Sequence, residues 1–237
     1  MMKVIPCRSP NADVLSRCEM LQRDFGLSRG DRRVDEVVLV VTKQGLVLKY
    51  KDRQLTWHQG LLHALRESGE RHPWVRLGQL KSGDRVLDCS LGLGTDAQFI
   101  SEITEEEVVG LESSLSIYLM TLEGLSKVNA NVNVQHVDSV IFLSEQPSDS
   151  FDVVIADPMF PKHLEKASHS LELVRVLANF ESIDTEWLNE ARRVASRCVL
   201  IKDHRRNNLL ERLGAEVIWA RGKRHTRYGK WKATSLI

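Results

Sequence analysis

The stretch Val86–Ala97, VLDCSLGLGTDA, decides the fold. Arg85–Cys89 reads as a short buried strand carrying Asp88 near its end, a loop with Gly92 and Gly94 follows, and a helix can start near Thr95. Strand, glycine loop and helix in that order form the first βα turn of an open α/β sheet, where glycine lets the backbone bend sharply and approach a ligand closely. Downstream the same alternation continues. Glu107–Leu111 is apolar, Ser113–Val128 carries Leu115, Leu119, Leu122 and Leu125 at near-helical spacing, and Val132–Val137 and Phe151–Ala156 read as strands. Helices are predicted over Leu164–Asn179, over Thr185–Ala195 behind an Asp184 cap, and over Asn207–Leu213. Arg197–Lys202, Glu216–Ala220 and Thr226–Leu236 complete the strands. This pattern predicts a mostly parallel sheet with helices on both faces and a ligand site beyond the carboxyl ends of its strands.

Upstream, residues 1–80 read as a small α+β unit, distinct from the larger domain at 81–237. A cap at Ser9-Pro10-Asn11 precedes an amphipathic run with Val14, Leu15, Cys18, Leu21 and Phe25. Val37–Thr42 and Leu46–Tyr50 flank Lys43-Gln44-Gly45, a hairpin signal, and Leu55–Trp57 can add a strand. Residues 61–80 look helical, with a break near His72-Pro73.

Composition narrows the class. The chain has 237 residues, 42% hydrophobic and 27% charged, ordinary values for a globular protein with a full core. It has no run of eighteen apolar residues and no apolar leader after the first Met, so a cytoplasmic protein without a membrane span is expected. Cys7, Cys18, Cys89 and Cys198 show neither C-x-x-C nor Cys/His ligand spacing, so neither disulfides nor a metal site is expected. A G-x-S-x-G nucleophile elbow is also missing. The net charge of +1 hides an asymmetry: Arg192–Lys232 carries 13 Lys/Arg against three acids, a balance of +10, and the rest of the chain carries −9. Such a basic segment fits a polyanionic partner.

Four stations carry the chemistry. In the first, Asp88 at the strand end precedes Ser90, Gly92, Gly94, Thr95 and Asp96, and Ala97 falls where a dinucleotide fingerprint would place its third glycine. An acid at that point suits a cationic or amine-bearing ligand better than a pyrophosphate, which favours S-adenosylmethionine over NAD. In the second, Glu112 ends the next strand, in place to accept from ribose hydroxyls, with Ser113 beside it. In the third, Asp138-Ser139 follows the third strand, either as a cap or in reach of an adenine amino group. In the fourth, Asp157-Pro158-Met159-Phe160-Pro161 ends the strand FDVVIA. Two prolines stiffen this loop, Phe160 offers a stacking face, and Asp157 can accept from an exocyclic amine.

Together these stations resemble the class I S-adenosylmethionine-dependent methyltransferases, which implies a Rossmann-like sheet. DPMFP is similar to the D/N-P-P-Y/F motif of enzymes that methylate exocyclic amino groups of bases. LDCSLGLGTDA with DPMFP more closely resembles the small-subunit ribosomal RNA guanine-(N2) methyltransferases of the RsmJ (YhiQ) kind, over about Asp84 to Lys202. That resemblance implies a cofactor site lined by Thr95, Asp96, Glu112, Ser113, Asp138, Ser139 and Asp157, with Asp157, Pro158 and Phe160 at the acceptor. Ser90 departs from the first glycine of many methyltransferases, and Asp138 from the serine of the closer ribosomal enzymes. Candidate substrate contacts are His58 in a histidine-glycine turn, Lys162 after DPMFP, Lys202, Arg205 and Arg206 after a strand end, and Arg224 and Tyr228 in a segment mixing cations with aromatics. The implied partner is RNA, with homo-oligomerisation left open. The competing readings are a methyltransferase for a small molecule or protein amine, and a non-catalytic RNA- or cofactor-binding module.

Overall fold

The computed structural model describes residues 2–30, 36–158, 173–174, 183–220 and 225–234. Two sheets organise them. The smaller has β1 (Lys3–Pro6), β2 (Ser28–Arg29), β3 (Val38–Val41), β4 (Leu46–Tyr50) and β5 (Arg53–Thr56) in the order β2-β1-β3-β4-β5. The expected hairpin is β3–β4, closed where the Thr42 hydroxyl donates to the Gly45 carbonyl at 2.7 Å. Helix α1 (Ala12–Phe25) starts where the Asn11 side chain accepts from Val14 N–H and stops at Gly26, whose φ of 64° suits glycine. It buries Val14, Cys18 and Leu21, one face of a 3.6-residue period. Leu15, counted on that face from the sequence, is instead 44% exposed.

The larger sheet has β6 (Val86–Asp88), β7 (Val108–Leu111), β8 (Val132–Gln135), β9 (Phe151–Ala156), β10 (Ala195–His204), β11 (Val217–Ala220) and β12 (Thr226–Lys232), in the order β11-β12-β10-β9-β6-β7-β8. The run β10-β9-β6-β7-β8 is parallel, and β12 is antiparallel to both its neighbours. Helices α4 (Thr95–Thr104), α5 (Leu115–Lys127), α6 (Ser139–Glu145), α7 (Thr185–Val194) and the short α8 (Leu209–Arg212) connect them. The fold is therefore the mixed α/β, largely parallel arrangement that the sequence pattern predicts. β6 is followed on one side by β7 and on the other by β9, so the order reverses between β6 and β9 and a crevice opens at their carboxyl ends. Of the helix predicted over 164–179, only residues 173–174 lie within the described residues, and both are helical.

Each face of this sheet has its own apolar layer. One joins Leu87, Val154, Val199 and Ile201 to Trp187 and Leu188 of α7. The other joins Val86, Val153, Ile155, Cys198 and Leu200 to Phe99 of α4 and to Trp74 and Val75. Trp74 belongs to α3 (Pro73–Gly78), which follows α2 (Leu62–Ser68) after a 3₁₀ turn; Pro73 opens α3 behind the His72 cap, the predicted break. Arg197 of β10 grips buried Asp84 with two hydrogen bonds of 2.6 and 2.7 Å and adds one to the Gly78 carbonyl at the end of α3.

The smaller sheet rests on α5. Leu39, Leu48 and Leu55 share a core with Ile117, Leu119 and Met120. The approach requires Gly124, because a Cβ there would lie 2.0 Å from the Trp57 ring. Trp57 in turn donates from Nε1 to the Leu93 carbonyl at 3.0 Å, tying the end of the small sheet to the glycine loop of the large one.

Candidate active site

β6, only three residues long and fully buried, delivers Asp88 to the crevice. The chain then turns through Ser90–Gly94 into α4. Gly94, at φ 75°, has no room for a side chain, since a Cβ would lie 2.8 Å from Leu125. This brings the start of α4 against α5. Glu112, one residue beyond β7, spans the loop: its carboxylate accepts from Gly92 N–H at 3.1 Å and Ser114 N–H at 2.8 Å. Ser90 spans the switch point, because its hydroxyl accepts from the Asp157 N–H at 2.6 Å. The serine that departs from the usual glycine therefore pins β9's exit to β6's.

These groups surround a solvent-open cleft. Ser90, Gly92, Glu112, Ser113, Ser139, Asp157 and Pro158 line it, seven of the residues singled out from the sequence. Leu111, Ile117, Ile183 and Trp187 give it apolar walls. Trp187 was not legible as a site residue. The Asp184 cap that starts α7 places it, and its Nε1 donates to the Ser139 hydroxyl at 2.9 Å.

The electrostatics are acidic. Burial raises the Asp88 pKa most, the Ser90 N–H opposes this, and the charges of Asp96, Asp157 and Glu112 raise it further, to about 7. Four carboxylates on four elements thus face one region, and a cation placed there would relieve both their mutual repulsion and the burial penalty on Asp88. A ligand with one flat apolar part and one cationic part fits this cleft, and S-adenosylmethionine has both.

Not every expected residue lies in the cleft wall. Asp138 caps α6, its Oδ1 accepting from Val140 N–H at 2.7 Å, and is not part of the lining. Thr95 faces the turn from the small unit, where a Cβ on Gly60 would lie 3.2 Å from its Oγ1 and His58 Nδ1 accepts from Gly60 N–H. Met159, Phe160, Pro161, Lys162, His163 and Arg221–Arg224 lie outside the described residues.

The basic segment needs correcting. Tyr228 is buried, its ring edge-on to Trp74 at 4.8 Å, so it is core and not a stacking platform for a base. Trp231 is equally buried, and its Nε1 donates to the Leu213 carbonyl. Arg227 binds Asp203, Glu211 and the Asn207 carbonyl, and Lys230 donates to the Leu77 carbonyl. The alternation that put Tyr228 beside cations belongs to an internal strand, β12. Lys202 is paired with Asp157 and is not an exposed phosphate contact. Arg205, Arg206 and Arg212 remain exposed.

The family described as "Putative SAM-dependent methyltransferase" matches residues 21–229. The chain belongs to this family. Its cofactor is S-adenosyl-L-methionine, and the Glu112 and Asp157 carboxylates and apolar walls of the cleft suit that molecule. The chain is similar to the "Uncharacterized protein YpiP" of Bacillus subtilis, with 34% identity over 162 residues, 63% of this chain and 63% of that protein. It is also similar to the "Ribosomal RNA small subunit methyltransferase J" of Laribacter hongkongensis, with 29% identity over 60% of this chain and 55% of that protein. The matches thus span about three fifths of the length of these curated relatives. In fold it matches the crystal structure of the SAM-dependent methyltransferase NGO1261 from Neisseria gonorrhoeae, with a TM-score of 0.69 at 15% identity, over 99% of this chain and 97% of that one. No helix among the described residues is long and apolar enough to cross a membrane.

Proposed function

We propose that this methyltransferase acts on an exocyclic amino nitrogen of a nucleobase, namely N2 of guanine in small-subunit ribosomal RNA. The observation that carries the reading is Asp157-Pro158, set at the end of β9 in the wall of the cleft, beside the Ser90–Gly94 loop. The Laribacter relative is named a ribosomal RNA small subunit methyltransferase, which supports the substrate class. Exposed Arg205 and Arg206, just beyond β10 on the same sheet edge, suit a phosphate backbone.

In this reading Glu112 accepts from the ribose hydroxyls, Ser139 faces the adenine edge, and Leu111, Ile117 and Ile183 enclose the base. Ser90, Gly92 and Ser113 shape the remaining wall. Bound S-adenosylmethionine supplies a methyl group on a sulfonium, so that a nitrogen–carbon bond forms as the sulfur–carbon bond breaks with its electron pair left on sulfur. The chain's own work is orientation. An exocyclic amine is a weak nucleophile because its lone pair is delocalised into the ring. Asp157, accepting from one of the amine protons, localises that pair toward the methyl group, and the surplus proton of the methylated amine passes to solvent. Phe160, outside the described residues, is assigned to stacking on the base from the sequence motif.

The test is incubation of the purified protein and labelled cofactor with RNA from cells lacking it, followed by nucleoside mass spectrometry. Labelled N2-methylguanosine is expected. Label entering protein or small molecules but no RNA would overturn the substrate class, and binding without any transfer would overturn catalysis.

A further inference from the structure

We propose that Lys202 is a positioning residue that acts through Asp157, locking its carboxylate as an oriented hydrogen-bond acceptor beside the cofactor cleft. The inference rests on the role of Asp157 given above and deepens it. β9 and β10 are parallel with Ile201 beside Ala156, so the next residues of each strand, Lys202 and Asp157, emerge together at the carboxyl edge. Cys198 and Leu200 of β10 face the layer that holds Trp74 and Tyr228, and Lys202 continues that face. There its ammonium binds Asp157 Oδ2.

The surroundings leave Lys202 little else to do. The charged and titratable groups facing it are Asp157 from the end of β9, Asp96 from α4, His72 from the cap of α3 and Tyr228 opposite it on β12. Burial alone would lower its pKa, but the charges of Asp157 and Asp96 outweigh this and hold it above the ordinary lysine value. It is therefore a fixed ammonium and not a base. Its side chain is mostly covered, and withdrawing it to meet a phosphate would abandon a part-buried carboxylate.

What the pair achieves follows from the company Asp157 keeps. Asp88 lies near enough to repel it, and Asp96 and Glu112, which also act on Asp88, add negative charge to the same region. Without a cation, a carboxylate in that group is driven to take up a proton, and a protonated carboxyl can donate to an amine nitrogen where an ionised one accepts from its N–H. Lys202 prevents this. With Asp157 N–H held by Ser90, it also fixes the residue at both main chain and side chain.

The experiment compares wild type with Lys202→Met, Lys202→Gln and Lys202→Arg in three measurements: the pH profile of methyl transfer, cofactor affinity by calorimetry, and the titration of the Asp157 carboxyl by carbon-13 NMR, assigned with Asp157→Asn. For Lys202→Met or Lys202→Gln we expect kcat to fall at least about tenfold at neutral pH. The acid limb of the profile and the Asp157 midpoint should both move up by about 1–3 pH units, the range for loss of an adjacent opposite charge. Cofactor affinity should stay within about threefold, and Lys202→Arg should restore most of the rate. An unchanged Asp157 midpoint in a folded variant overturns the inference, as does lost activity with an unmoved acid limb and no rescue by arginine. If the Asp157 midpoint moves as expected but wild type methylates no RNA, the pair stands and the RNA assignment falls.

Discussion

Buried Asp88, beside the cleft, should make cofactor binding depend on pH in a direction set by its burial. Its pKa is about 7 in the folded protein, against an ordinary 3.8, first because burial disfavours its charge and then because Asp96, Asp157 and Glu112 repel it. Three units correspond to about 4 kcal/mol. The folded pKa lies above the unfolded one, so the protein without cofactor holds more protons than the unfolded chain between about pH 4 and 7. This contribution to stability is full below pH 4 and is lost as pH rises to 7. A cation in the cleft reverses the preference, because it favours ionised Asp88. Affinity for S-adenosylmethionine should therefore climb with pH, by roughly fifteenfold between pH 5.5 and 7, where the ionised fraction of such a group rises from about 0.03 to about 0.5. Burial also lowers the pKa of His72, at the cap of α3. Calorimetric titrations across this range, in buffers of different ionisation enthalpy, should show tighter binding at the higher pH with release of a proton. Asp88→Asn should bind with little pH dependence. Equal affinity at both pH values, or an unchanged slope in Asp88→Asn, would refute the reasoning.

Four further outcomes are expected. Gly124→Ala drives a methyl group into the Trp57 ring and should lower stability by about 1–3 kcal/mol in denaturant unfolding, loosening the small sheet from α5. Arg197→Met leaves Asp84 buried without its ion-pair partner and should cost about 3–5 kcal/mol by the same measurement, with part recovered on adding Asp84→Asn. Glu112→Gln should weaken cofactor binding roughly tenfold by calorimetry, the scale of a lost charged hydrogen bond, whereas Asp138→Ala should chiefly remove the α6 cap, at about 1 kcal/mol of stability.

The parallel sheet was legible because each strand from Val86 to Ala156 is a short apolar run closed by a polar residue, and because Gly92 and Gly94 mark the turn that must follow β6. The caps at Asn11 and Asp184 were equally plain, since their side chains satisfy N–H groups only a few residues away. What the sequence hid depends on distant strands. Lys202 and Asp157 are 45 residues apart, and only the β9–β10 register makes them partners. Tyr228 reads as a surface aromatic among cations until β12 is placed between β10 and β11, which turns its ring inward. Leu122 keeps helical spacing on α5 yet is partly exposed, because the helix shows its core only the faces met by the two sheets. Ser90 looked like a missing glycine, and its role became visible only through the Asp157 N–H it receives.

The role of Asp157 is the central claim, and a single-turnover measurement tests it most directly. With S-adenosylmethionine bound and RNA from cells lacking the protein, the wild type should transfer label. Asp157→Ala should transfer none, while binding the cofactor within a few-fold of wild type by calorimetry. Normal transfer by Asp157→Ala would contradict the account.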